Sequence, residues 1–166
     1  MELSGSGLFY ALAALSMAFV SFTSIVVVLH QGTGKRFSAL HAFYTQEFCE
    51  MGLMATAFAM LAPVLAIWGM REELVWQISS AIILALLVPW LSFVPRRRKV
   101  AAPKEKAPLR FFIFIILGIA VIIALCLNIV GSPMRPGPGP IAIAAVYVLT
   151  MASIIFVRTY SLFLRG

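Results

Sequence analysis

Five stretches of this chain, residues 8–29, 51–70, 74–94, 111–130 and 141–157, run for 17 to 22 residues without one Asp, Glu, Lys, Arg or His. A helix of about 22 residues is about 33 Å long, enough to cross the roughly 30 Å of hydrocarbon in a bilayer. Hydrocarbon offers no partner to a backbone N–H or C=O, so a stretch placed there must be helical. The expected fold class is all-α integral membrane, with five transmembrane helices joined by short loops in a single domain, 1–166. The fifth span is the shortest, and it is expected to continue as a helix past Arg158, over 141–164.

Composition agrees with this reading. Only 11% of the residues are charged and 62% are hydrophobic, with a mean hydropathy of +1.02. A soluble domain carries roughly 25% charged residues to cover its surface, so an ordinary water-soluble fold is excluded. The N-terminus carries Glu2 and no positive region, and its apolar run is too long for a cleavable signal. The two cysteines, Cys49 and Cys126, have neither CxxC nor Cys/His metal spacing and read as small membrane-helix residues.

The excess of positive charge is concentrated. Residues 95–110, PRRRKVAAPKEKAPLR, hold seven of the thirteen Lys and Arg residues against one Glu. A short loop this basic stays in the cytoplasm. With that loop inside, the N-terminus lies outside and the C-terminus inside (N-out/C-in). The inner side then holds Lys35, Arg36, the seven loop charges, Arg158 and Arg165, and the outer side only Arg71 and Arg135. The positive residues lie between spans rather than on a folded face, so anionic lipid headgroups are the expected partner and nucleic acid is not.

The links between spans differ in kind. Trp68 and Trp76 bracket the outer turn GMREEL, and Trp90 falls near the inner end of the third span, all three suited to an interface. GSPMRPGPGP, 131–140, is too rich in Pro and Gly to be helical. Between the first two spans, Ser38 is a possible helix cap, and Phe37, Leu40, Tyr44, Phe48 and Met51 recur at three- and four-residue steps. An interfacial segment over about 38–50 is expected there.

Small residues mark where helices can touch. Gly52, Ala55, Ala59, Ala62, Ala66 and Gly69 form one series in the second span, and Gly7, Ala11, Ala14, Ala18 and Ser21 form another in the first. Membrane helices gain little hydrophobic energy by associating, so close backbone approach is how they pack. The expectation is a seam between these two helices, the alternative being that one series faces another subunit. Pro63 and Pro89 remove backbone donors and are expected to bend their helices.

Chemistry is scarce. No ionisable residue occupies the centre of a span, where proton pumps and ion-coupled transporters place one. Ser16, Ser21, Thr23, Ser24, Thr150 and Ser153 are expected to bond their own backbone, and Asn128 a neighbouring helix. The one cluster with chemical range is at the inner face: His30, His41, Glu47 and Glu50. Carboxylates with imidazoles can bind a divalent metal or relay protons, but the spacing is neither HExxH nor the ExxH of di-iron bundles. The competing structural reading has Glu47 and Glu50 among headgroups, paired with Lys35, Arg36 or the basic loop. GTGK at 32–35 lacks the first Gly and the following Ser or Thr of a P-loop. No catalytic residue, metal site or cofactor is assigned.

LSMAFVSFTSIVVVLHQ (15–31), VWQISSAI (75–82) and MRPGPGPIA (134–142) resemble a group of small uncharacterised bacterial multi-pass membrane proteins. The resemblance implies a bacterial inner membrane and supplies no activity. The functional expectation is an accessory or assembly subunit of a membrane complex, or a self-associating bundle. A small oligomeric channel or transporter using the inner Glu/His cluster is the alternative, and a lipid-acting enzyme ranks third.

Overall fold

The structure is a computed structural model that describes residues 3, 5–32, 39–101, 109–132 and 135–163, with the side chains of 23, 26–27, 29–32, 39–42, 101, 109–110 and 158–163 outside the description. Among the described residues there are five helices and no strand: α1 (Ser6–Gly32), α2 (Ala39–Ala66), α3 (Glu72–Ala101), α4 (Leu109–Val130) and α5 (Gly139–Phe163). Four are long and apolar enough to cross a membrane, over Phe43–Ala66, Glu72–Val100, Phe111–Val130 and Gly139–Val157. The described apolar stretch of α1, Ser6–Phe22, is shorter.

The helices α2, α3, α4 and α5 form a ring in which each packs on its sequence neighbour and α2 closes on α5. α1 lies outside that ring against α2, with lesser contact to α5. α2 is thus the central element, and its composition explains how it touches so many neighbours. Gly52, Ala55, Ala59 and Ala62 are all buried, and α5 adds buried Ala144, Ala145 and Ala152. Side chains this small let backbones approach closely, so dispersion contacts and weak polar bonds act at short range. At Gly52 the approach is tightest, since a Cβ there would overlap the Val20 side chain of α1. One turn on, the hydroxyls of Ser16 and Thr56 share a 2.7 Å hydrogen bond between α1 and α2.

The other half of the anticipated α1–α2 seam is not there. α1 meets the bundle through Phe9, Ala13, Ser16 and Val20, whereas Gly7, Ala11, Ala14, Ala18 and Ser21 are exposed on the opposite side. The larger side chains win because Phe9 fills a space against Trp76, with ring centroids 5.8 Å apart. In the α2 series, Ala66 is only partly buried and Gly69 lies beyond the helix in the 67–71 turn, where its φ of 70° suits glycine.

Several boundaries also move. While Phe37, Ser38 and the Leu40 side chain lie outside the described residues, α2 runs unbroken from Ala39, so residues 39–50 continue directly into the second span rather than forming a separate helix. Their stripe faces inward: Tyr44, Phe48 and Met51 are buried, and Phe48 packs on Phe156 of α5 at 5.4 Å. The apolar stretch of α2 accordingly reaches back at least to Phe43, where 51 was expected, and ends at Ala66 rather than 70. α3 begins at Glu72 and continues through Pro89 and Pro95 to Ala101, so the first part of the basic segment is helix, not loop. Its Glu72 and Glu73 lie in the first turn and Arg98 and Lys99 in the last, the charge order that a helix dipole favours. Trp76 is not an interfacial anchor but a core residue, 1% exposed, its Nε1 donating to Glu72 at 3.3 Å. Trp68 is exposed.

Polar groups within the helices satisfy themselves or their neighbours. Ser21, Ser24, Ser92 and Ser153 each donate to the carbonyl four residues back. Asn128 donates to Ser80 of α3 at 2.8 Å and to the Gly137 carbonyl at 3.2 Å, and accepts from the Gly137 N–H at 2.9 Å. It imitates a backbone strand and staples the α4–α5 link to both helices. Gln77 adds a bond to the Ile129 carbonyl.

Gly118 of α4 faces Tyr147, whose hydroxyl donates to the Phe114 carbonyl at 3.0 Å. A Cβ at Gly118 would lie 2.7 Å from that hydroxyl and 2.9 Å from Leu91. Gly118→Ala is therefore expected to cost about 1–3 kcal/mol by overpacking. Gly7→Ala, whose Cβ meets nothing, is expected to be neutral or stabilising by up to about 1 kcal/mol. Thermal unfolding of the two variants in detergent distinguishes them, and equal melting temperatures would contradict the packing at Gly118.

Candidate functional site

The most polar interior region lies where α2 meets the last turns of α3. Glu47 and Glu50, three residues apart on α2, share a face. Both reach Arg97 of α3. Its guanidinium holds Glu50 through two parallel bonds, Nη1 to Oε2 at 2.5 Å and Nη2 to Oε1 at 2.9 Å. The same Nη1 stands 3.0 Å from Glu47 Oε1. Gln46 donates a further bond to Glu50 Oε1 at 2.8 Å. The helical continuation of α3 past Pro95 makes this possible, since it carries Arg97 back along the bundle at the depth of Glu47.

The two carboxylates are not equivalent. Glu50 and Arg97 each keep about a third of their side-chain surface exposed, whereas the Glu47 side chain keeps 2%. Glu50 takes the well-directed donors in the forked geometry that Arg and carboxylate share. Glu47 is close to the guanidinium, yet neither of its buried oxygens accepts a hydrogen bond. Taken as ionised, the three groups sum to one negative charge, and the part least satisfied is the Glu47 carboxylate.

That carboxylate lines a cleft of about 940 Å³ bounded by α2, α3, α4 and α5. Its walls are largely apolar, including Met51, Val94, Phe114 and Ile154. The polar residues on it are Glu47, Arg98, Thr150 and Ser153, with Tyr44. Arg98 is 9% exposed, and its guanidinium lies 5.3 Å over the Phe111 ring. At the mouth, Ile113, Leu117, Thr150 and Val157 are exposed, so the cleft opens sideways between α4 and α5.

Of the four residues expected to form an inner polar site, the structure brings Glu47 and Glu50 together. The side chains of His30 and His41 lie outside the described residues, as do Lys35 and Arg36. Among the described residues, no three His, Cys, Asp or Glu side chains come close enough to hold a metal ion. Among the described residues, the counter-charge that reaches both carboxylates comes from the basic segment, through Arg97. Arg98, Thr150 and Ser153 were not anticipated as neighbours of Glu47. The signal for Arg97 and Arg98 is the run RRRK at helical spacing from the third span, which is legible once Pro95 is not taken as a helix end.

Comparison with protein-family models, curated proteins and solved structures returns no match to this chain.

Removing Arg97 takes away the guanidinium that both Glu47 and Glu50 reach. Arg97→Ala is expected to destabilise the bundle by about 3 kcal/mol, the usual penalty for an uncompensated buried charge. Adding Glu47→Gln to that variant should restore a substantial part of the loss. A double-mutant cycle read by thermal or denaturant unfolding in detergent checks the coupling, and additive effects would contradict it.

Proposed function

We propose that this protein is a non-enzymatic membrane subunit that works by docking other transmembrane helices, as an accessory or assembly component, through the outer face of α1. The observation that carries this reading is the exposed row Gly7, Ala11, Ala14, Ala18 and Ser21. It is the kind of surface that lets a second helix approach closely, and it belongs to a helix outside the ring, of whose described side chains only Phe9, Ala13 and Ser16 are buried. Short links such as 67–71 give a partner few other surfaces to recognise. The same series suits self-association, in which a second copy supplies the missing helix.

The reading includes a placement. All five helices span a bacterial inner membrane, with the N-terminus outside and the basic 95–110 segment against anionic headgroups of the cytoplasmic leaflet. Its support is the distribution of Lys and Arg between the two ends, together with the resemblance of 15–31, 75–82 and 134–142 to small bacterial multi-pass proteins. A channel or transporter is the second reading, favoured by a cleft that reaches a buried carboxylate. Against it stands Arg97, which neutralises part of that site.

Two measurements test the proposal. In mild detergent the protein is expected to co-purify with a larger membrane protein or as a homo-oligomer, identified by mass spectrometry. Ala11→Leu with Ala18→Leu should reduce that association at least tenfold while leaving the melting temperature unchanged. An unaffected association would remove α1 as the docking face, and ion flux in liposomes lost on Glu50→Ala would favour the channel. For the topology, a reporter fused after Gly166 is expected to read cytoplasmic, and a periplasmic reading overturns N-out/C-in.

A further inference from the structure

The cleft between α4 and α5 differs from the docking face of α1 in both shape and chemistry. It is a lateral, mostly apolar opening of about 940 Å³ whose charged lining residues are Glu47 and Arg98. Glu47 is 1% exposed, and its two oxygens accept no hydrogen bond. Arg97 Nη1 stands 3.0 Å from Glu47 Oε1 but is shared with Glu50, and the buried Glu47 carboxylate accepts no directed hydrogen bond, so a ligand able to donate to it gains what the protein leaves unmet. Arg97 does not line the cleft; Arg98 does, one residue further along α3. The cleft wall therefore presents a carboxylate with acceptor capacity to spare beyond its ion pair with Arg97, and a guanidinium suited to an anionic oxygen.

A zwitterion on an apolar tail matches both. From the charge pattern and the lateral opening, we propose that the cleft binds one membrane phospholipid with a primary-ammonium headgroup, its ammonium on Glu47 and its phosphate on Arg98. The acyl chain would lie along Met51, Val94, Phe114 and Ile154. Ser153 donates to its own backbone, and Thr150 stands at the exposed rim, so neither supplies the charge that selects the headgroup. A tertiary lid is not required, because entry is from the side. The primary ammonium matters because it carries N–H donors, which a trimethylated headgroup lacks. The inference is independent of the helix-docking reading and survives its failure.

The test uses the full-length protein reconstituted in nanodiscs holding equal fractions of phosphatidylethanolamine, phosphatidylcholine and phosphatidylglycerol. Native mass spectrometry then counts lipids retained after gentle release. One phosphatidylethanolamine per chain is expected, retained at least fivefold over the other two. Glu47→Gln should bring phosphatidylethanolamine down to the level of phosphatidylglycerol, and Arg98→Gln should lower both. Should either variant unfold, Thr150→Phe narrows the rim at an exposed position and is expected to cut retention at least fivefold without lowering the melting temperature. Equal retention of the three lipids, a preference that persists in Glu47→Gln, or undiminished binding in a folded Thr150→Phe overturns the proposal.

Discussion

A helix in hydrocarbon gains little by burying Leu or Val against another helix, because lipid already solvates them, so the place of α2 depends on how closely its backbone can approach its neighbours. Gly52 admits Val20 of α1, and Ala55, Ala59 and Ala62 of α2 are buried within the bundle. The consequence reaches beyond packing. Once α2 is held centrally, Thr56 lies within reach of Ser16, and Phe48 meets both Phe19 and Phe156. The same placement carries Glu47 and Glu50 to α3. A larger residue at Gly52 would shift these contacts together, since all of them are read from one helix.

The two ends of the bundle handle polar groups differently. At the end holding the 67–71 turn and the α4–α5 link, Asn128 and Gln77 complete backbone and side-chain bonds across α3 and α4. Gly131, with φ 71°, ends α4 as a left-handed residue and donates back to Leu127. At the opposite end one guanidinium serves two carboxylates, and the inner one is left without a directed donor. Low dielectric strengthens what is made there and penalises what is not. An incompletely satisfied polar group beside an opening is a different object from one sealed in a core, and here the opening is lateral.

Much of the architecture was legible before any coordinates, because the limits of hydrocarbon leave a long apolar run only one backbone conformation. The positions of the helices along the chain follow from that. What escaped were facts about faces and ends. Proline at position 95 looks like a helix boundary, yet it sits inside α3, which runs on to carry Arg97 to Glu50. Tyr44, Phe48 and Met51 have the period of an interfacial stripe, and that period is the same for a stripe facing a bundle. The small residues of α1 and α2 have indistinguishable spacing, but only Gly52, Ala55, Ala59 and Ala62 of α2 are enclosed. Spacing identifies a face and does not say what lies against it. Glu47 illustrates the same limit: its partnership with Glu50 is a matter of three residues, whereas Arg97 and the cleft belong to other helices.

The exposed small residues of α1 and the cleft beside Glu47 make different demands on the surrounding membrane. Docking on α1 needs shape alone, since no polar side chain other than Ser21 lies in that row and its hydroxyl already donates to Met17. A contact of that kind is governed by close fit and is insensitive to headgroup chemistry. Occupation of the cleft depends on charge, through a carboxylate and a guanidinium fixed on separate helices, α2 and α3. Anything that alters the spacing of those helices alters both the Glu50–Arg97 fork and the distance between the two charges lining the cleft. Because Arg97 and Arg98 are consecutive, rotation of the last turn of α3 moves one as it moves the other. The ion pair that holds α2 to α3 thereby also sets the geometry a headgroup would meet.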